Sequence, residues 1–452
     1  MPRACIVLAA ALAALPPLAA APRCDYDVSV RPTLSLDVAV RCDADVRALI
    51  PAGHAARRHV DGYALTRGDA GVSAAYRVDL AAMARDEANL ESALVSGDSL
   101  LAVGSAWLLA PERAGGASGT LRVRVDTARG VDFATAQPDV DGRFEIADAD
   151  LVQSGFSAFG RFDRLTLQAP GRGAAPADFE VVILDGALDL DRDVLVAWID
   201  DSARALAEFW GGFPAPGMTI FVLPRAASGG VPFGRVMSGG GVSMVLVVGE
   251  HATRAELYDD WVLVHELVHV GTPFVRGAFW LSEGLATYFE PLIRARWGRQ
   301  RDTDMWHEFA REMPRGAAVL GGSGLAAGGF RGWYWGGALL FLLADVELRR
   351  GSDGRLGLED CLRDVHRRVG NYAARMHAAE LAAACDALAG RAVLAPLMRR
   401  HAYAANAVDL DALWRELGVV ATDGGVRLDD DAPLAWVRRA IVAGDGETRR
   451  SE

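Results

Sequence analysis

His265 and His269 stand four residues apart in the run WVLVHELVHV, positions 261–270, which contains no glycine or proline. On a helix that spacing projects both imidazoles from one face, about one turn apart. Two nitrogen donors so placed suit a single metal ion. Glu266 follows the first histidine and precedes the second by three residues, so its carboxylate falls at the edge of the same face, beside the metal rather than on it. There it can polarise a metal-held water. A catalytic zinc takes three protein ligands and keeps one position open, so a third donor must come from elsewhere. Glu283, at the head of EGLATYFE, is the candidate; that segment has helical character, and its first turn can face the histidine helix across residues 271–278. An H-E-x-x-H pattern arises by chance in such a chain with odds of about one per cent, and the glutamate segment adds to its weight.

The elements that must hold these residues belong to a large chain. With 452 residues and 51% hydrophobic content, it can bury extensive cores and reads as two or three domains. The first twenty or so residues carry Arg3, an apolar Ala/Leu run and a small-residue end at Ala19, Ala20 and Ala21, the pattern of a secretory signal peptide, expected over 1–20. Pro16, Pro17 and the shortness of the run argue against a retained membrane span, and no later run is long enough for one. The expectation is an exported protein, periplasmic or secreted, without stable membrane insertion after cleavage. Export permits disulfides among Cys24, Cys42, Cys361 and Cys385, Cys5 leaving with the leader. The sequence-local pairing, Cys24 with Cys42 and Cys361 with Cys385, is preferred because each pair falls inside one expected domain. A formal charge of −12 with scattered basic residues argues against nucleic acid and anionic membrane surfaces as partners.

Three domains are expected between the signal and a flexible tail at 446–452. Residues 21–177 alternate apolar and polar positions in YDVSVRPTLSLDVAV, TLRVRV and RLTLQAP, the mark of an antiparallel β domain. His54 and His59 read there as exposed loop residues. Residues 178–300 mix strands (FEVVIL, MTIFVL) with a helix over DRDVLVAWIDDSARALAEFW and form an α/β catalytic domain. Its glycine-rich stretch at 228–241 lacks the G-K-S/T closure of a phosphate loop and leads into a strand over 242–249. Residues 301–445 show helical periodicity throughout, including from Tyr372 onward, and form an α-helical domain in which His307, His366, His377 and His401 are packing or surface residues.

Three segments in order, HELVH at 265–269, WLSEGLATY at 280–288 and YWGGA from Tyr334, resemble the gluzincin metallopeptidases. The nearest likeness is to the glycyl aminopeptidase-like family, whose pattern the run YWGGALLFLLADVELRRGSDGRLGLEDCLR is similar to; the matching segments span residues 242–363. The resemblance implies a multidomain α+β chain with a thermolysin-like catalytic domain. It implies one Zn2+ per chain on His265, His269 and Glu283, with Glu266 as general base, Tyr334 as a donor to the developing oxyanion, and a peptide or protein as substrate. The chemistry agrees, because a phenol beside a Lewis acid stabilises charge that builds only in the transition state. Thr287 and Glu290, one and two turns beyond Glu283, are expected to steady the ligands. The strand from Val242 is expected at the sheet edge, with Gly241, Val242, Ser243 and Met244 meeting an extended substrate.

The chain also departs from that pattern. Thirteen residues separate His269 from Glu283, fewer than in the relatives, and Gly336 takes a place often held by lysine. GGGVSM at 239–244 stands where related aminopeptidases carry a glutamate that grips the substrate's amino group, and Glu250 lies beyond it. An aminopeptidase is therefore one expectation, beside an endopeptidase or an enzyme that cuts another amide. A peptide-binding protein that keeps the fold without cutting is the alternative from another class.

Overall fold

The computed structural model describes residues 22–68, 71–173, 175–239 and 241–444. The expected signal peptide at 1–20 and the tail at 446–452 lie outside the described residues. The N-terminal part is β-rich. A seven-stranded sheet has Arg23–Val30 near its centre, and a four-stranded sheet is built around Phe156–Gly160 and Ser99–Val103. In Arg23–Val30 every second residue is buried, from Cys24 to Val30, so the alternation seen in the sequence is a half-buried strand. Pairing is antiparallel apart from Arg23–Val30 against Thr120–Thr127, which run parallel. Cys24 and Cys42 are cross-strand neighbours joined by a disulfide. His54 and His59 lie on a short helix rather than in a loop, and His59 is buried.

The central sheet has five strands: β1 (Phe162–Ala169), β2 (Ala177–Leu184), β3 (Gly217–Arg225), β4 (Phe233–Met237) and β5 (Ser243–Gly249). Their spatial order is β1-β2-β3-β5-β4, with β2, β3 and β5 parallel and the two outer strands antiparallel. Strand β1, expected at the end of the N-terminal domain, is hydrogen-bonded into this sheet instead. Successive residues of the inner strands point into different cores. Val181, Ile220, Val222, Met244 and Leu246 join the helical side, while Val182, Phe221, Leu223, Val245 and Val247 join the N-terminal β core. Burial on both faces is why these strands read as unbroken apolar runs.

Helix α1 (Arg192–Trp210) covers the sheet, followed by α2 (Val262–Val270), α3 (Phe279–Arg296), α4 (Asp302–Gly322), α5 (Phe330–Ser352) and α6 (Leu358–Val369). Residues from α1 through the C-terminal helix share one hydrophobic core, so the helices after residue 300 have no core separate from that of the sheet. Helices α3 and α5 touch backbone to backbone at Gly284 and Gly337. A Cβ at either would lie 2.5 Å from the other's Cα, which makes glycine a steric requirement at both. A second disulfide ties Cys361 of α6 to Cys385. The stretch from Tyr372, expected as helix, is a loop with a two-residue strand, Arg375–Met376, and helix resumes at Ala378. Among the described residues, no helix is long and apolar enough to cross a membrane.

Candidate active site

Helix α2 is apolar on nearly every side, and all of its residues except Glu266 are buried. Packing, not intrinsic propensity, therefore holds this β-branched segment helical. The Asp260 carboxylate accepts the Leu263 N–H at 3.2 Å and caps its start; burial pushes that carboxyl up to about 6, against the amide donors that lower it. At its other end, Tyr372 N–H donates to the Val270 carbonyl at 3.1 Å and the His366 ring bonds the Gly271 carbonyl at 2.9 Å. Carbonyls that a helix end leaves open are thus answered by the chain a hundred residues on.

His265 and His269 project together, their ring centroids 5.2 Å apart. Glu283, one turn into α3, places Oε2 at 3.3 Å from His265 Nε2 and 3.9 Å from His269 Nε2. Donors held about 2.0–2.1 Å from a tetrahedral zinc are about 3.3 Å from one another, so this spacing suits the metal. The ligand atoms of His265, Glu266 and His269 also lie within 4.8 Å of one another. Burial lowers the His269 pKa, which favours the neutral imidazole that a metal needs. Burial raises Glu283, yet its hydrogen bond with His265, the histidine charges and the Tyr334 hydroxyl outweigh this and hold it at about 2.

Tyr334, in the first turns of α5, stacks on His265 with centroids 5.7 Å apart and hydrogen-bonds Glu283. Burial and the charges of Glu283 and Glu266 keep its phenol protonated. Glu266 lies beneath β4, where Oε2 accepts the Val236 N–H at 2.9 Å. A Cβ on Gly234 would meet Glu266 Cγ at 2.8 Å, so only glycine lets the strand lie this close. Burial pushes the Glu266 carboxyl up, and Glu283 adds to the effect. The sequence motif thus comes together as one cluster from three helices.

Two sets of expected residues lie elsewhere. Thr287 Oγ1 donates to the backbone carbonyl of Glu283 at 2.8 Å, and Glu290 pairs with Arg294 at 3.0 Å. Each satisfies its own helix, as small hydroxyls and i,i+4 pairs do, and neither bonds a histidine. The expectation for the strand from Val242 is overturned by its pairing: β5 is an inner strand, with Ser243 opposite Thr219 on one side and Met237 on the other. No backbone edge is free there for a substrate. Val242, Ser243 and Met244 are buried, Phe156 N–H donates to Ser243 Oγ at 3.3 Å, and a Cβ on Gly241 would sit 1.9 Å from the Ala136 carbonyl oxygen. These residues seal the sheet to the N-terminal part. The outer strand beside the site is β4, hidden in the sequence within the glycine-rich stretch. Glu250 lies past β5, in a surface group with Asp189 and His251.

Tyr372 was not anticipated. Its ring lies 6.0 Å from that of His269, and burial together with the charges of Glu266 and Glu283 raises its pKa. It reaches the site from a loop far along the chain, and no local pattern marks it.

No family model and no curated protein sequence matches the chain. Solved structures do. An aminopeptidase N family protein from Idiomarina loihiensis superposes with a TM-score of 0.63 over 89% of this chain and 80% of that one, at 14% identity. An M1 zinc metallopeptidase from Deinococcus radiodurans gives 0.53 over 86% and 95%, also at 14% identity. A mutant of the Deinococcus enzyme bound to the substrate Tyr-Ser-Ala gives 0.52 over 85% and 94% at 15% identity. The chain has their mixed α+β multidomain fold.

Proposed function

We propose that the chain is a zinc-dependent metallopeptidase that hydrolyses peptide bonds, exported to the periplasm or beyond the cell, with one Zn2+ on His265, His269 and Glu283. The convergence of two imidazole nitrogens and one ionised carboxylate oxygen at metal-ligand spacing carries this reading. The fold supports it, since the similar structures are described as M1 zinc metallopeptidases, one of them with a bound peptide substrate. Zinc when bound supplies a Lewis acid that polarises a carbonyl and acidifies water. Glu266 takes the proton of the attacking water and returns it to the leaving amine. Its raised pKa suits that exchange, and the Val236 amide fixes its carboxylate in place. Tyr334 donates a hydrogen bond to the carbonyl oxygen as negative charge grows on it. Two disulfides agree with export.

The test combines metal content with turnover. Purified protein should carry one zinc per chain by elemental mass spectrometry, Glu283→Ala should lose it, and Glu266→Gln should keep it while peptide hydrolysis falls by about three orders of magnitude or more. Wild-type protein that takes up no zinc would end this reading and favour a peptide-binding protein. Zinc retained with no cleavage across a broad peptide panel would move the search to other amides.

A further inference from the structure

Two files of aromatic rings start at the proposed zinc ligands. From His265 the first leads to Tyr334, then to Phe330, edge-on at 5.4 Å between centroids, then to Trp333, edge-on at 5.9 Å. From His269 the second leads to Tyr372, then to Phe274 at 5.7 Å, then to Phe279 at 6.3 Å. The files meet where Phe279 stacks on Trp333, 5.7 Å apart and 22° from parallel. Because the two histidine rings are themselves neighbours, the circuit closes on the metal site. Three distant stretches build it. Tyr334, Phe330 and Trp333 open α5, Phe274 and Phe279 lie on the short connection from α2 to the start of α3, and Tyr372 comes from the loop after α6. The last two are tied by backbone: Phe274 N–H donates to the Ala374 carbonyl at 2.9 Å, and Val275 pairs with Met376.

The rings where the files meet are open to water. Phe330 is 63% exposed and Phe279 48%, and both touch Trp333, so they form one patch rather than scattered single residues. Clustered exposed rings mark a surface that binds something apolar. A cation does lie against the second file, Arg375 over Phe274 at 5.1 Å, but its guanidinium is engaged by Asp150 at 2.9 Å and Ser238 Oγ at 3.2 Å. Continuity with the site names the occupant. In the reading above Tyr334 donates to the carbonyl oxygen of the bond being cut, and Phe330 is its ring neighbour. Consecutive Cα atoms are about 3.8 Å apart, so a side chain next to that carbonyl comes within reach of the rings that follow Tyr334.

Resting on the peptidase reading above, we propose that Phe330, Trp333 and Phe279 form a subsite for a bulky apolar side chain, an aromatic one above all, on a residue that flanks the scissile bond. Seating that side chain removes Phe279 and Phe330 from water and sets a ring among rings in the edge-on and stacked arrangements they already adopt with one another. The preference then lies in the apolar contact, and a charged side chain at the same position gains nothing from it.

Internally quenched peptides that differ only by Phe, Ala or Glu at one position, scanned across the residues on either side of the cut, provide the test. Wild-type enzyme should favour Phe over Ala at a flanking position in kcat/KM by about tenfold to a hundredfold, with Glu no better than Ala. The double variant Phe279→Ala, Phe330→Ala should lower the Phe/Ala ratio by about fivefold or more, whereas Phe279→Tyr with Phe330→Tyr should keep it. Circular dichroism and thermal melting verify that each variant is folded. The same peptides are titrated calorimetrically into zinc-loaded Glu266→Gln protein with and without the two alanines. That readout does not need cleavage: if wild type cuts nothing, the peptidase reading fails, while a Phe preference in binding that the alanines remove upholds the subsite. A Phe/Ala ratio unchanged by the alanines in both assays overturns the proposal, as does a wild-type preference for Ala or Glu. Self-association in velocity sedimentation that the alanines abolish, with the ratio unchanged, would assign the rings to an interface between copies of the chain and overturn it equally.

Discussion

Helices α3 and α5 hold two tyrosine–carboxylate pairs, one at the candidate site and one a few turns along, and they differ in what surrounds the oxygens. At the site Tyr334 meets Glu283, which faces two histidines and is 20% exposed. Farther along, Tyr288 donates to Asp345 at 2.7 Å. Asp345 also accepts from Arg349 Nε at 3.0 Å and from Leu358 N–H at 2.9 Å. Arg349 reaches both oxygens of Glu359 at 2.8 Å, and Arg296 bonds Glu359 at 3.1 Å. There two arginines answer two carboxylates in a closed, buried network. At the site the donors converge on a common point with no arginine among them. One scaffold thus carries a set of charges that satisfies itself and a set that is completed by something bound.

Arg349→Leu should reveal the closed network most strongly. It strands Asp345 and Glu359 in the core at a cost of about 3–5 kcal/mol in urea unfolding. Glu283→Ala, measured without metal, should cost clearly less than Arg349→Leu, because Glu283 is partly open to solvent and its removal strands no arginine in the core. Equal costs would erase the distinction. Tyr334→Phe should lower kcat by about 10²–10³-fold and leave the unfolding midpoint in place. Tyr288→Phe should do the reverse, removing about 1–3 kcal/mol of stability with kcat unchanged while the protein stays folded. A swap of these two outcomes would reverse the assignment of the pairs.

The smallest effect concerns α6, which begins beside Glu359 and carries His366 against the end of α2. Burial, with Arg172 and Arg367 adding to it, holds the His366 pKa below its usual 6.5, against the Gly271 carbonyl that raises it. Its contribution to stability is therefore complete above pH 6.5 and is lost as pH falls through the lowered value, because the unfolded state binds the proton first. Unfolding midpoints measured from pH 8 to 5 should show a shallow acid-side loss that shrinks in His366→Asn. A loss on the alkaline side would contradict this.

The site was legible in the sequence where its chemistry is local. HELVH fixes two side chains by helical spacing, and WLSEGLATY announces a helix that carries a glutamate near its start. The strand at the site was not legible. FGRVM is five strand residues set among glycines, too short and too interrupted for its alternation to stand out, while VSMVLVVG shows a strong apolar run for the opposite reason that it is buried on both faces. Mistaking the stronger run for the edge put Gly241 to Met244 in the cleft instead of at the seam with the N-terminal part. Tyr372 and His366 were invisible as neighbours of α2 because their placement depends on tertiary packing. The central network was equally hidden: Asp345 and Arg349 share a helix face at i,i+4, but only the fold brings Tyr288 and Glu359 to them.

The bare contact between Gly284 and Gly337 has a mechanical consequence. With no side chain between the two rods, their separation is set by main-chain atoms and does not relax by rotamer changes. Both tyrosine–carboxylate pairs ride on those rods, so the contact works as a fulcrum, and a wedge as small as one methyl group would open the phenol–carboxylate gaps on either side of it together.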